Sequence, residues 1–203
     1  DVERLTENVM AQDPSRLVIG NSGIDAGRPD IDYEVGHIKD NHSYRPPSVP
    51  FASNKRAVVN GEYGAIGYKI PGHIWDIDGP WVHHNYEDKE AATVEYERFI
   101  KMIVDDFQKE GLSASVYTQW TDVENEMNGL YTYDRKVIKL DKERVTKANK
   151  LTYLKKEKSN TMVTSKMMLM IHRDFGPISV PAIISLSNGA NANSPNKTAS
   201  TSK

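Results

Sequence analysis

The sequence predicts an α/β fold with a parallel sheet, and three observations support that prediction. Short apolar runs bounded by turn residues recur along the chain, as buried parallel strands do. A long amphipathic segment separates two of these runs and has helical spacing. Polar and aromatic residues cluster directly after the runs, at the edge that carries the site in parallel α/β folds.

Four strands are predicted from the apolar runs. The first is Arg16–Gly20, which follows a helix that ends at Asp13 because a residue before proline disfavours the α region. The others are Val35–Asn41, Arg56–Asn60 and Leu112–Gln119.

Three helices accompany the strands. The first covers Asp1 to Gln12, and the last begins near Asp141 with Val145, Ala148 and Leu151 on its inner face. The strongest covers 91–110, with Gly111 expected just past its end. Its apolar face consists of Tyr96, Phe99, Ile100, Ile103, Val104 and Phe107.

Composition excludes a few classes of function. With 38% hydrophobic and 27% charged residues, the chain falls in the range of soluble globular domains. A formal net charge of -2 leaves no basic excess for nucleic acid or an anionic membrane, whereas neutral carbohydrate remains open as a ligand. There is no cysteine for a disulfide or a thiolate ligand, and no apolar run long enough to span a bilayer.

The two ends of the chain lead to separate expectations. The start, Asp1-Val-Glu-Arg4, is neither an initiator methionine nor a signal peptide, so the chain is expected to begin within a longer protein. Residues 1–152 are predicted to form one α/β domain. Residues 153–203 are methionine-rich and then dominated by Ser, Asn, Thr and Lys, which predicts an irregular linker or the start of a further module.

A series of motifs in order gives the chain a family resemblance. The central motif is Asn60-Gly-Glu-Tyr-Gly64, followed by Gly72-His-Ile-Trp75, Leu112-Ser-Ala-Ser-Val-Tyr-Thr-Gln119, Thr121-Asp-Val-Glu124 and Asn128-Gly-Leu-Tyr-Thr-Tyr-Asp-Arg135. Asp13-Pro-Ser-Arg-Leu17 and Asn41-His-Ser-Tyr44 precede it. Over residues 1–152 the chain resembles the catalytic domain of glycoside hydrolase family 2, the β-galactosidase and β-glucuronidase group.

The resemblance implies a fold and a reaction. The four strands would be strands five to eight of a (β/α)₈ TIM barrel, which takes about 250 residues when complete. Glu62 would be the nucleophile of a retaining glycosidase, which hydrolyses a β-glycoside without a cofactor. The general acid/base would be the glutamate of an Asn-Glu pair at strand four, upstream of Asp1, because Asn125-Glu126 comes after strand eight. A periplasmic or extracellular setting would fit.

The resemblance also implies substrate-binding residues. His42 and Tyr44 would line the −1 subsite and position the nucleophile. Trp120 would offer an aromatic platform beside Gln119, although Trp120 departs from the threonine of many relatives. His73 and Trp75 fall in the long segment after Glu62, which we expect to form a lid-like loop over the pocket.

Each of these residues also has a simpler structural interpretation. Glu62 could be a solvated loop acid, and His42, Tyr44, His73, Trp75 and Trp120 could serve packing alone. Asp122 and Glu124 could contact sugar hydroxyls, but a structural role is favoured. Asp76, Asp78, His83 and His84 lack the spacing of a zinc motif, so no metal site is predicted.

Two functions remain open. The first is a retaining β-glycosidase in which this chain supplies the nucleophile and part of the sugar subsite. The second is a non-catalytic carbohydrate-binding or interaction fragment, because the general acid/base is missing. A half-barrel would also expose two strand edges, which favours aggregation or pairing with another half, including formation of a homo-oligomer.

Overall fold

The fold is an α/β arrangement built on a short parallel sheet. The computed structural model describes residues 1–23, 32–49, 53, 55–80 and 83–154, with only the backbone for 153 and 154. The elements in chain order are helix α1 (Val2–Gln12), strands β1 (Ile38–His42), β2 (Ala57–Gly64), β3 (Ile66–Tyr68) and β4 (His84–Tyr86), helix α2 (Lys89–Met102), strand β5 (Leu112–Thr118) and helix α3 (Lys142–Leu154).

The main sheet has the order β1-β2-β5, and its strands are parallel. Three of the four predicted strands are therefore present, and β2 lies between the other two. Because the strands are parallel, their carboxyl ends lie at the same edge of the sheet. The predicted parallel α/β character is confirmed, and this edge carries the residues considered below.

The predicted strand over residues 16–20 is wrong as a buried strand. Only Ile19 forms bridges, a parallel one to Ile38 and an antiparallel one to Gly36. Leu17 is 41% exposed and Ile19 is 40% exposed, and among the described residues the segment joins the sheet only through Ile19. An apolar run at the end of a sheet thus stays too irregular and too exposed to count as a core strand.

The segment after Glu62 is more regular than the predicted lid-like loop. It contains β3 and β4, which pair in parallel from Ile66 to Tyr68 and from His84 to Tyr86. Ile66 is fully buried, and both strands contact α2. This segment is therefore partly anchored in the core, while Trp81 lies outside the described residues.

The core lies between the sheet and α2. The predicted face of α2 is confirmed, since Tyr96, Phe99 and Ile100 are buried. The helix continues as a π-helical turn at Ile103–Phe107, and Gly111 follows with a φ of 103°. Three tyrosine rings and Phe99 meet edge to face in this core: Tyr63, Tyr96 and Tyr117.

Helix α3 packs on α2, with one departure from the predicted face. Ala148 is buried and Val145 packs against the core, but Leu151 is 46% exposed. The helix continues to Leu154, two residues past the predicted domain boundary, and the rest of the predicted tail lies outside the described residues. Within the described part, no helix combines the length and apolar character that crossing a bilayer requires.

Candidate functional site

Glu62 lies at the carboxyl end of the central strand β2. His42, the last residue of β1, pairs with it across an irregularity in the β1–β2 register. The side chain of Glu62 is 39% exposed, so it reaches the surface while its backbone stays in the sheet. A carboxylate in this position can meet a ligand that approaches the strand ends.

Two side chains contact the Glu62 carboxylate, and both reach the same oxygen. The Tyr44 hydroxyl donates a short hydrogen bond to Oε2. The Nδ1 atom of His42 lies 3.3 Å from that oxygen. Among the described residues no hydrogen bond reaches Oε1. The structure thus brings His42, Tyr44 and Glu62 together, and both partners lie at the same carboxylate oxygen.

A second carboxylate, Asp40, lies behind His42 and was not predicted as a site residue. Its side chain is only 1% exposed. It accepts hydrogen bonds from the backbone amides of Gly61 at 2.7 Å and Gly23 at 3.2 Å, and from Ser22 Oγ at 3.1 Å. His42 Nε2 lies 3.2 Å from Asp40 Oδ2. The imidazole therefore lies between the Asp40 and Glu62 carboxylates, with one ring nitrogen close to each.

Gly61 permits this close approach of the two strands. A Cβ atom at residue 61 would lie 2.2 Å from Asp40 Oδ1, well inside any allowed contact. The amide of Gly61 could then no longer reach the Asp40 carboxylate. The glycine of the Gly-Glu-Tyr-Gly motif thus has a direct structural reason in this chain.

The backbone around Glu62 is also tied down by hydrogen bonds. Asn60 is fully buried, and its Nδ2 donates to the carbonyl of Asn41 at 2.8 Å and to that of Glu62 at 3.1 Å. The Ser43 amide donates to the Glu62 carbonyl at 2.9 Å. These contacts connect β1 to β2 around Glu62, so the position of its backbone is preorganised.

Tyr44 packs against a second ring beside the Glu62 carboxylate. Its ring stacks on that of His83, with the two centroids 5.4 Å apart. Burial raises the pKa of Tyr44 well above its usual value, and the carboxylates of Glu62 and Glu126 raise it further. The phenol thus stays protonated and remains a hydrogen-bond donor to Glu62.

Gln119, a predicted substrate-binding residue, faces the loop that follows β5. Its Nε2 lies 3.3 Å from Glu126 Oε2, 3.5 Å from the Glu126 carbonyl and 3.5 Å from Asn128 Oδ1. The amide group is therefore engaged within the chain. Its neighbour Thr118 pairs with Gly64, two residues after Glu62, so Gln119 follows the end of the strand that lies beside β2.

The other predicted aromatic residues form a separate group. Trp120 is 41% exposed and packs at a tilt against Tyr131, with ring centroids 5.1 Å apart. Trp75 is 55% exposed and lies 4.8 Å from the Tyr133 ring. Within the described part of the chain, neither tryptophan makes a direct contact with Glu62.

His73 belongs to the same group as Trp75. Its Nδ1 lies 2.8 Å from Asp134 Oδ2, next to the Tyr133 that Trp75 contacts. The segment over residues 131–134 thus collects both residues of the Gly-His-Ile-Trp motif. The structure brings these predicted residues to one surface, and it brings His42, Tyr44 and Glu62 to another.

Asp122 takes the structural role that was favoured for it. It is buried, lies 2.6 Å from Lys139 Nζ and accepts the Gly129 amide at 2.8 Å. Burial raises the pKa of Asp122 and lowers that of Lys139. Glu124, by contrast, is exposed in a turn with a φ of 49°.

Sequence reasoning missed the roles of Asp40 and His83 beside Glu62 and Tyr44. Asp40 carried a usable signal, because it precedes His42 by two residues on one strand and such residues share a face. His83 comes from a separate loop, and its approach to Tyr44 depends on tertiary packing.

The described residues contain no group of three or more His, Asp or Glu side chains arranged to hold a metal ion. No protein-family model matches this chain, and no curated protein matches its sequence.

Proposed function

We propose that this chain carries the nucleophile half of a retaining β-glycosidase site, with Glu62 as the nucleophile and a β-galactosidase-like reaction. The observation that supports it most is the Glu62 carboxylate at the end of the central parallel strand, held at one oxygen by Tyr44 and His42. Retaining glycosidases need such a carboxylate to attack an anomeric carbon and form a covalent glycosyl-enzyme.

The contacts of Glu62 suit a nucleophile. The tyrosine hydroxyl and the imidazole fix Oε2, while the exposed side chain leaves Oε1 for the sugar. Asp40 fixes the imidazole from the opposite side, so the carboxylate needs little reorganisation when substrate arrives. In the proposed reaction Oε1 bonds to the anomeric carbon and the glycosidic oxygen leaves with a proton from a separate acid.

The proposal extends to the fold. We take β1, β2 and β5 as strands six, seven and eight of a (β/α)₈ barrel. The segment around Ile19, which bridges to β1, would be strand five. The parallel order and the position of Glu62 near the carboxyl end of β2 support this assignment. Retaining chemistry also requires a second carboxyl group about 5 to 5.5 Å from the nucleophile, which strand four would supply.

The second candidate function is carbohydrate binding without catalysis. It is favoured by the exposed tryptophans Trp75 and Trp120, each of which packs against one tyrosine ring. Exposed aromatic faces of this kind can stack on sugar rings. In the glycosidase hypothesis, these residues, with His73 and Gln119, bind more distant parts of the same substrate.

A mechanism-based label separates the two functions. A 2,4-dinitrophenyl 2-deoxy-2-fluoro-β-galactoside needs little acid assistance, so a nucleophile can displace the phenolate and keep the sugar. We expect a mass increase of one fluorosugar on the chain, located on Glu62 by peptide mapping. The Glu62→Gln variant should take up no label.

Two outcomes would contradict the glycosidase proposal. One is labelling of Glu62→Gln at the wild-type rate. The other is a folded chain that binds β-galactosides but takes up no label, which would favour the binding function. The Glu124→Gln variant is the matched control, because it removes one exposed carboxylate elsewhere and should label like the wild type.

A further inference from the structure

His83 lies directly before β4, where the chain returns to the strand that carries Glu62. Strand β3 follows β2 after a single residue, and β4 pairs with β3 in parallel, with His84 opposite Ile66. A Cβ atom at Gly67 would lie 2.5 Å from the His84 carbonyl oxygen, so the two short strands are tightly packed. The backbone that follows His83 is therefore firmly placed.

The conformation of His83 is unusual for an exposed residue. Its φ is 69°, in the left-handed region that residues other than glycine rarely adopt. Such a conformation persists where surrounding contacts hold it, and it is often found at functional sites. Because the side chain is exposed, burial in the core does not account for its placement.

The ring of His83 lies against that of Tyr44. The centroids are 5.4 Å apart and the planes differ by 26°, which is the geometry of a stabilising stacked pair. Tyr44 itself is 40% exposed and lies two residues past the end of β1, so its ring needs a neighbour to hold it in one orientation. The imidazole covers one of its faces.

The orientation of Tyr44 matters because its hydroxyl donates to the Glu62 carboxylate. A ring that turned away would lose this hydrogen bond and release the oxygen that it holds. The contacts thus run in order from His83 to the Tyr44 ring, and from the Tyr44 hydroxyl to Glu62 Oε2.

We propose that His83 is a positioning residue of the Glu62 site, which holds the Tyr44 phenol against the nucleophile by stacking on its ring. The inference rests on the proposed function of Glu62. His83 acts through Tyr44 and need not touch the sugar. Its loss should therefore slow the reaction of a bound sugar, since small losses of alignment cost much in rate, while binding of the sugar is kept.

The neighbouring histidine provides a matched control. His84 is also exposed, and its ring packs edge to face on Tyr86 with centroids 4.8 Å apart. We compare His83→Asn with His84→Asn, because asparagine tolerates the left-handed backbone at residue 83. Thermal melts confirm that both variants are folded.

The first measurement is the rate at which the 2-deoxy-2-fluoro-β-galactoside labels Glu62, at a series of sugar concentrations. In His83→Asn we expect the rate at saturation to fall about fivefold, with the concentration for half-saturation unchanged. His84→Asn should label like the wild type. His83→Phe keeps a ring that can stack, so its rate should return to within about twofold of the wild type.

A double variant tests whether His83 acts through the phenol. Tyr44→Phe removes the hydroxyl that reaches Glu62, so adding His83→Asn to it should slow labelling no further. A fivefold fall in that background as well would show that His83 acts by another route, which would overturn the inference.

NMR of the tyrosine rings tests the stack without any reaction. In a chain with ¹³C-labelled tyrosine, His83→Asn should shift the Tyr44 ring resonances and leave those of Tyr86 in place, and His84→Asn should do the reverse. Unmoved Tyr44 resonances, or wild-type labelling kinetics in His83→Asn, overturn the role of His83 alone. A wild-type chain that takes up no label overturns the proposed function, and the inference with it.

Discussion

Two buried aspartates near strand ends, Asp40 and Asp122, have different kinds of partner for their carboxylates. Asp40 is satisfied by two backbone amides, a serine hydroxyl and an imidazole. Asp122 is satisfied mainly by the ammonium group of Lys139, which is itself fully buried. The first has neutral donors and an imidazole for partners, and the second has a full opposite charge.

The difference shows which aspartate belongs to a site. The contacts of Asp40 connect it to the protein surface, because His42 lies between Asp40 and the exposed Glu62 carboxylate. The contacts of Asp122 stay in the protein interior, because its partner Lys139 also donates to the Met127 carbonyl at 2.7 Å. Asp40 therefore positions a surface group, and Asp122 holds the loop after β5 in place.

The largest effect on the free energy of unfolding should come from breaking the buried Asp122–Lys139 ion pair. Asp122→Asn keeps the side-chain shape but leaves the Lys139 charge buried without its partner. We expect unfolding to become easier by about 3 to 5 kcal/mol, because an uncompensated buried charge is costly. Urea unfolding followed by circular dichroism measures the change.

Two further variants sharpen this result. Replacing both partners, as Asp122→Asn with Lys139→Met, should recover much of the loss because no unpaired charge remains. Asp105→Asn breaks an exposed ion pair with Lys101 and should leave the unfolding midpoint unchanged. A loss in Asp122→Asn no larger than in that control would show that the buried Asp122–Lys139 ion pair does not hold the fold.

A third aspartate, Asp32, gives an intermediate effect that depends on pH. Its carboxylate pairs with Arg56, with Nη1 and Oδ1 2.8 Å apart, and this pairing lowers the pKa of Asp32 to about 2. A lowered folded-state pKa stabilises the protein above the ordinary pKa near 4, and the gain is lost as pH falls towards 2. We expect a loss of about 2 kcal/mol over that window.

Urea midpoints at pH 5, 4, 3 and 2.5 measure this loss. Asp32→Asn should remove the contribution of this pair, so its acid slope should be shallower than that of the wild type. Arg56→Lys keeps the charge without the two-pronged geometry, and its slope should lie between the two. Identical slopes in wild type and Asp32→Asn would reject the pairing as the cause.

Much of the fold could be predicted, because the spacing of apolar residues along the chain indicates which segments are long helices or central strands. The face of α2 and the strand β2 follow directly from the positions of their apolar residues. The three-residue strands β3 and β4 could not be predicted, since they are too short for a period and depend on α2 for packing. Leu151 was misassigned because helical spacing does not show where a neighbouring layer ends.

The site divides in a similar way. The proximity of His42, Tyr44 and Glu62 follows from parallel strands whose carboxyl ends share one edge. The contact between Gln119 and Glu126 depends on a tight turn, which leaves no periodic pattern in the sequence. Buried polar contacts are therefore the part that required coordinates.

The smallest change in stability, and the most informative about the site, should come from Asp40→Asn. One side-chain oxygen remains to accept the Gly61 amide, while the new NH₂ group faces the Gly23 amide and cannot accept from it. The Ser22 hydroxyl can turn to accept from that NH₂ group, so the main loss is the hydrogen bond from the Gly23 amide. Because this bond is long, at 3.2 Å, we expect a cost at the lower end of the range for bonds to a charged group, about 1.5 kcal/mol, and the chain should stay folded. His42, however, loses its carboxylate partner and with it the orientation that places Nδ1 against Glu62.

Fluorosugar labelling of Glu62 should therefore slow about tenfold in Asp40→Asn, since small losses of alignment cost much in rate. Glu124→Gln is again the matched loss of one exposed charge and should label normally. Unchanged labelling in a folded Asp40→Asn chain would place Asp40 with Asp122 among the residues that hold only the fold. Slower labelling with near-normal stability would distinguish Asp40 from Asp122. The contact between Asp40 and His42 would then affect Glu62 without affecting the stability of the fold.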